Sequence, residues 1–279
     1  PTLLRTLPGF ISAVEGAVIL DGRAVRDWPA AERARKVAVV LTDRPQVGAL
    51  KVSELVEMGR QPYTGWSGAL TAEDRRIATE ALAQVEGDHL RDRYIDSLSD
   101  GERQRVMIAR ALAQQPRVML LDEITAFLDL PSRVTIVSTL RRIAHEAGVS
   151  IILSSHDLEL SLNAADGLWL LPGDGRFVDG APEDVALSGA LGEAFDQDNL
   201  VFSLETGRFE TRSASWGKVL VEGEGVTRIW LGRALERLGY RLSDVSDDVE
   251  LVVTGRSEGF VLNGVAHATI RALATTLRG

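Results

Sequence analysis

Val118-Met119-Leu120-Leu121-Asp122-Glu123 decides the architecture of this 279-residue chain. Four apolar residues in a row, ending in two carboxylates, read as a strand buried on both faces with an acidic exit. A second such run, Val149 to Leu153, ends in Ser154-Ser155-His156. Between them, Pro131 to Ala147 carries Val134, Val137, Leu140 and Ile143 or Ala144 at helical spacing. Strand, helix and strand in that order predict a parallel sheet with polar residues at the carboxyl ends of its strands. Ligands of such sheets bind at those ends. The expected fold class is α/β.

Toward the N-terminus, Val37 to Leu41 is another apolar, β-branched run suited to a buried strand. Ala17 to Leu20 with Asp21-Gly22 reads as a short strand and turn, and Leu3, Leu4 and Leu7 have helical spacing. From Ser53 to about Gln114 the pattern is helical, with Thr71 and Asp74 forming a capping box. After about Gln197 the rhythm changes. Strands are expected around Phe202 and Phe209, over Lys218 to Val221, Leu251 to Thr254 and Phe260 to Leu262. A helix with an apolar face of Trp230, Ala234 and Leu238 follows Gly223-Glu224-Gly225, and a last helix spans Ala266 to Leu277. The expected domains are therefore 1–196, containing a helical subdomain over about 50–114, and a small α+β domain over 197–279.

Composition narrows the classes of function. Hydrophobic residues make up 45% and charged residues 25% of the chain, the balance of a globular protein. No apolar run reaches the length of a membrane-spanning helix. Cysteine is absent, so disulfides and thiolate metal sites are excluded. A net charge of −9 argues against nucleic acid as a partner, because phosphate neutralisation needs clustered Lys and Arg.

Three clusters can carry chemistry. Leu98-Ser99-Asp100-Gly101-Glu102-Arg103-Gln104 opens a helix, and Ser99 with Glu102 is by itself an ordinary capping box. The same helix start offers free N–H groups and a hydroxyl to a phosphate. Asp122-Glu123 is either just an acidic strand exit or a pair with divided labour. In the second case Asp122 serves Mg²⁺ and Glu123 polarises a water that attacks a γ-phosphate. His156 follows a buried strand and could contact that phosphate. His89, His145 and His267 lack such a setting.

The order of these features, with Ala126-Phe127-Leu128-Asp129 between the two strands, resembles the ABC ATPase cassette, a P-loop NTPase-like fold, over about residues 1–190. The resemblance implies ATP and Mg²⁺ as ligands. It makes Asp122 the Walker B carboxylate, Glu123 the general base, His156 the switch histidine and Asp129 a dimer-interface residue. Leu98, Ser99, Asp100, Gly101 and Glu102 become a signature that contacts nucleotide held by a second ATPase subunit, in a homodimer. Asp100, Glu102 and Ile124 depart from the commoner Gly, Gln and Pro. Counting back from Val52-Ser53-Glu54-Leu55 places the Q-loop at Thr42, with Gln46 nearby.

The family's G-x-x-G-x-G-K-[ST] loop does not occur in the 279 residues. Pro1-Thr2-Leu3-Leu4-Arg5-Thr6-Leu7 resembles the helix that follows that loop, so the expectation is a chain truncated just after the lysine. Without the loop's N–H groups and lysine, triphosphate binding loses its main electrostatic contribution. The 279-residue chain alone is therefore expected to bind ATP negligibly and to be inactive. Calorimetric binding in the micromolar range would count against this.

Leu55 to Trp66 resembles the E-L-V-x-x-G-R-x-P-[YH] segment of ATPases from iron-siderophore, haem and vitamin B12 importers. The resemblance implies transmembrane permease subunits as partners, indirectly a substrate-binding protein, and a cytoplasmic, peripheral place on the inner face of the cell membrane. Exposed Tyr63 and Trp66 are expected at the permease interface. The competing readings are a soluble, non-transport ABC ATPase and a non-catalytic binding module. Coiled-coil members of the soluble class need sustained heptads before the signature, and none are present. The small C-terminal domain fits dimerisation or regulation equally.

Overall fold

In a computed structural model, residues 2–41, 49–196, 200–211, 216–243, 249–256 and 259–278 are described. Pro1, Thr42 and Gln46 lie outside the described residues. The chain divides into two compact units, one of residues 1–171 and 175–187 and the other of 172–174 and 188–279.

The first unit begins with α1 (Thr2–Thr6), the short antiparallel pair β1 (Ile19–Leu20) and β2 (Arg23–Ala24), α2 (Ala30–Lys36) and β3 (Val37–Val40). Three helices follow: α3 (Val52–Glu57), α4 (Ala72–Gln84) and α5 (Asp100–Ala113). Next come β4 (Val118–Asp122), α6 (Leu130–Ala147), β5 (Ser150–Ser154), α7 (Leu158–Ala164), β6 (Leu168–Leu170), β7 (Val178–Gly180) and α8 (Pro182–Leu187). Strands β3, β4 and β5 form a parallel sheet in that order. Met119, Leu120 and Leu121 of its central strand are buried, as a strand covered on both faces requires.

The helical part and the sheet share one core, in which Val52, Leu55, Val106, Ile108, Leu121, Ile136 and Ile143 are packed together. Helix α6 turns its buried face through Ile136, Thr139, Leu140 and Ile143. Val134 of the expected stripe is exposed. A 3-10 segment, Met58–Tyr63, continues α3, and there the chain meets α5 very closely. A Cβ on Gly59 would lie 2.9 Å from the Ala113 Cβ and still closer to the Arg110 carbonyl oxygen, so only glycine fits.

Arg60 is 4% exposed. Its Nε donates to Asp74 Oδ1 at 3.0 Å, and its Nη1 donates to the Ala113 carbonyl at 2.8 Å and to Gln115 Oε1 at 2.9 Å. The guanidinium also stacks on the Tyr63 ring, 3.8 Å from its centre. Tyr63 is not the exposed anchor expected. It is half-buried, donates its hydroxyl to the Gln114 carbonyl at 3.0 Å, and is flanked on by Arg35. Trp66 is fully exposed.

The second unit contains α9 (Ala190–Phe195), the hairpin β8 (Leu200–Ser203) with β9 (Arg208–Thr211), β10 (Gly217–Glu222), α10 (Gly225–Arg237), β11 (Tyr240–Ser243), β12 (Leu251–Arg256), β13 (Gly259–Leu262), β14 (Val265–His267) and α11 (Ile270–Arg278). Its main sheet has the order β11-β10-β12-β13-β14. Strand β10 runs parallel to both neighbours, and the β12, β13 and β14 pairings are antiparallel. Val219, Val221, Val253, Leu231, Leu235 and Leu273 form its core.

Two expectations here are corrected. Helix α10 buries Leu231, Gly232, Ala234 and Leu235, whereas Trp230 is 56% exposed. The residues expected to begin the last helix, Ala266 and His267, instead pair with β13 across the Asn263-Gly264 turn. Among the described residues, no helix is long and apolar enough to cross a membrane.

Candidate functional site at the carboxyl ends of the parallel strands

The register of the sheet sets Asp122, the last residue of β4, directly opposite Ser154, the last of β5. The Ser154 hydroxyl donates to Asp122 Oδ1 at 2.8 Å and accepts the Glu123 amide N–H at 2.9 Å. One hydroxyl thus fixes both the Asp122 carboxylate and the peptide that launches Glu123. Sequence reasoning assigns Ser154 no role. Strand β5 is only half-buried, not the buried strand expected, and a hydroxyl at the end of its apolar run acquires meaning only once the strands are paired.

Glu123 has φ of +47°, the left-handed region that non-glycine residues occupy at a cost of about 1–2 kcal/mol. Such conformations persist where the surroundings impose them, and they concentrate at functional sites. Here the turn Glu123–Leu128 throws the side chain toward the neighbouring strand end. Glu123 Oε1 meets His156 Nε2 at 2.7 Å. His156 is otherwise largely open to solvent.

The loop carrying His156 is tied down from both sides. The Asp157 amide donates to Ser155 Oγ at 3.0 Å, and Asp157 Oδ1 caps α7 by accepting the Leu160 amide at 3.0 Å. Arg133 of α6 donates one Nη to Asp157 Oδ2 and the other to the Leu128 carbonyl, each at 3.0 Å. This arginine therefore joins the turn after Glu123 to the loop after β5, a link that sequence reasoning missed.

Asp129 is the N-cap of α6 and accepts the Ser132 amide at 3.1 Å. Hydrogen bonding from Ser132 holds its carboxyl below the usual carboxylate range. Ser99 caps α5, accepting the Glu102 amide at 3.3 Å, while Glu102 Oε2 accepts the Ser99 amide at 2.8 Å. Those bonds, with Arg93 on Glu102 Oε1 at 2.9 Å, keep the Glu102 carboxyl low. The starts of α5 and α6 lie side by side, since a Cβ on Gly101 would meet Ser132 Oγ at 3.0 Å. Leu98 is buried, and Asp100 begins α5. Thus Asp122, Glu123 and His156 come together at the strand ends, while Ser99, Gly101 and Asp129 gather at two helix starts.

A separate cleft of about 160 Å³ lies among Val39, Met58, Pro62, Met107 and Arg110. Burial pushes the Arg110 guanidinium below its ordinary range, and it has no acceptor among the described residues.

Residues 1–126 match the family model described as ABC transporter, and residues 217–278 match that described as iron ABC transporter C-terminal domain. The chain is 40% identical over 207 residues to a hemin import ATP-binding protein of Gloeobacter violaceus, covering 72% of this chain and 74% of that one. It is 35% identical over 199 residues to the achromobactin transport ATP-binding protein of Dickeya dadantii, covering 71% and 73%. A solved inward-facing structure of a putative metal-chelate type ABC transporter aligns with a TM-score of 0.62 and 25% identity, over 75% of this chain and 81% of that one. A dimeric ATP-binding cassette bound to ADP and Pi aligns with a TM-score of 0.52 and 27% identity, over 61% and 75%. With the parallel sheet, the strand-end carboxylates and the capped helix starts already in place, these matches show that the chain belongs to the ABC transporter family, among its ATP-binding, ATP-hydrolysing subunits.

Proposed function

We propose that this chain is the ATP-hydrolysing subunit of a membrane importer whose cargo is a metal chelate of the siderophore, haem or cobalamin kind. The observation that carries hydrolysis is the Glu123–His156 contact beside Asp122, at the ends of adjacent parallel strands. In this reading Glu123 takes the proton of a water as the water oxygen attacks the γ-phosphorus of ATP. His156 orients the Glu123 carboxylate and reaches the γ-phosphate from its exposed side.

Asp122 is the residue that would hold Mg²⁺, with its second oxygen-rich neighbour Ser154 fixing the carboxylate. No group of three His, Cys, Asp or Glu side chains forms a metal cage among the described residues. That suits Mg²⁺, which takes one or two carboxylates and completes its shell with water and substrate phosphates. When bound, the ion neutralises charge on the transferring phosphoryl group.

Leu98, Ser99, Asp100, Gly101 and Glu102, at the start of α5, would face nucleotide held by a second copy, with Asp129 at that dimer interface. The cleft at Arg110 and the exposed Trp66 fit a cytoplasmic helix of the permease. A half-buried guanidinium without an acceptor has most to gain from a partner's carboxylate or terminal carbonyls. Through that permease the subunit sits on the inner face of the membrane and responds to a substrate-binding protein outside. The Q-loop assigned to Thr42 lies outside the described residues.

Relatives at 35–40% identity are named for achromobactin, hemin, petrobactin and cobalamin transport. The match to an iron ABC transporter C-terminal domain favours the same cargo class over a soluble, non-transport ATPase. The 279 residues lack the family's phosphate-binding loop, so the test is ATP-driven uptake of ferric siderophore, haem or cobalamin into vesicles holding the permease and this subunit joined to such a loop. Uptake of one of them is expected; failure to associate with a permease would overturn the reading.

A further inference from the structure

The first turn of α5 carries two carboxylates, Asp100 and Glu102. A helix start attracts anions through its free N–H groups and its dipole. A carboxylate placed there takes up the same positive potential that a phosphate would use. A glutamine at 102 would accept the Ser99 amide equally well without bringing a charge. Glu102 brings one. Its Oε2 accepts the Ser99 amide at 2.8 Å, so the charge sits beside the serine proposed to meet the nucleotide.

Arg93 answers that charge. Its Nη1 donates at 2.9 Å to Glu102 Oε1, the oxygen that Ser99 does not use, and its Nη2 donates to the Ser97 carbonyl at 2.6 Å. Arg103, the next cation along the chain, is engaged elsewhere. Its Nη2 donates to the Ile95 carbonyl at 3.1 Å and lies 3.9 Å from Asp96 Oδ1. The backbone of Arg93 is fixed as well as its side chain. The Val52 amide of α3 donates to the Arg93 carbonyl at 2.9 Å, and the Ile95 amide donates to the Leu50 carbonyl at 3.0 Å. The guanidinium is thus held at the start of α5 by a segment pinned to the start of α3. The two side chains are 41% and 20% exposed, so as an ion pair they contribute little to folding stability.

We propose that Arg93 is a positioning residue for nucleotide binding at the start of α5. Its guanidinium keeps Glu102 on the Ser99 amide and cancels the charge that this carboxylate would otherwise present to a triphosphate held by a second copy. The inference rests on the role given above to residues 98–102, and adds the group that makes a glutamate compatible with that role. The alternative is a purely local role, in which Arg93 braces the turn at Ser97. A brace would not depend on what stands at 102.

The test uses the subunit joined to the family's phosphate-binding loop and carrying Glu123→Gln, so that ATP is held rather than hydrolysed. Sedimentation velocity gives the ATP concentration at which half of the chain is dimeric. Arg93→Gln is expected to raise that concentration about tenfold at low salt, the effect of one uncompensated charge near the phosphates, and by less in about 0.5 M salt. In a Glu102→Gln background the same substitution should shift it less than about twofold. Arg93→Lys keeps the charge but not the fork to Ser97, and should stay within about threefold of the parent. An Arg93→Gln shift that is absent, or equally large in both backgrounds, overturns the inference. So does an Arg93→Lys variant as weak as Arg93→Gln, because the lost fork would then be the cause. A parent that does not dimerise with ATP overturns the role of residues 98–102 itself, and this inference with it.

Discussion

Arg60→Ala is expected to lower the unfolding free energy by about 3–5 kcal/mol, measured by urea denaturation. Arg60 and Asp74 are nearly inaccessible, with side chains 5% and 10% exposed. Removing the guanidinium leaves the Asp74 carboxylate, the Ala113 carbonyl and Gln115 Oε1 without the donor they share. It also strips the Tyr63 ring of the cation stacked on it. Arg60→Lys should recover only a minor part, since an ammonium cannot fork to three acceptors while lying flat on a ring.

The pair also gives a sign to the pH dependence. The Asp74 carboxyl is held down to about 2, first by the Thr71 hydroxyl, then by the Thr71 amide and Arg60. A carboxyl lower in the folded than in the unfolded chain stabilises fully above its ordinary pKa of about 3.9. That contribution fades as pH falls from there toward 2. Arg60→Ala should therefore narrow the stability gap between neutral and acid pH, with the contribution from Thr71 remaining.

What the sequence disclosed and what it hid divide along the range of the interactions involved. The capping boxes at Thr71 and Ser99 were legible because each is closed within three residues. The strand ending in Asp122-Glu123 was legible because an apolar run with a polar exit needs no partner to be recognised. Tyr63 was misjudged because its burial comes from Arg35 and Gln114, which lie far off in the chain. Trp230 and Leu231 are separated by one helical step of about 100°, and either could have led the buried face. The sheet made the choice, favouring Leu231 and Leu235. The turn at Asn263-Gly264, with φ of +46° and +85°, is a hairpin signal that the sequence did contain. The helical spacing of the residues after it masks that signal, because β14 is only three residues long.

In the subunit joined to the family's phosphate-binding loop, Glu123→Gln is expected to lower the ATPase kcat of the transporter reconstituted with its permease by roughly 10²–10⁴-fold, while nucleotide affinity stays near that of the unsubstituted subunit. The amide keeps the length of the side chain and an oxygen for His156, so the 2.7 Å contact has a successor. What disappears is the basic carboxylate that receives the water's proton. His156→Ala should also lower kcat, by less, since the carboxylate remains but loses its restraint. A structural role for Glu123 makes a different forecast. Its φ of +47° is a conformation glycine adopts freely. Glu123→Gly should thus leave the melting temperature unchanged or slightly higher while hydrolysis is lost. If hydrolysis survives either substitution at Glu123, the base must be another group; if Glu123→Gly unfolds the chain, Glu123 serves the fold. The backbone strain at this residue favours neither of those outcomes, because a protein with no chemical use for a glutamate in a left-handed turn gains stability by discarding it.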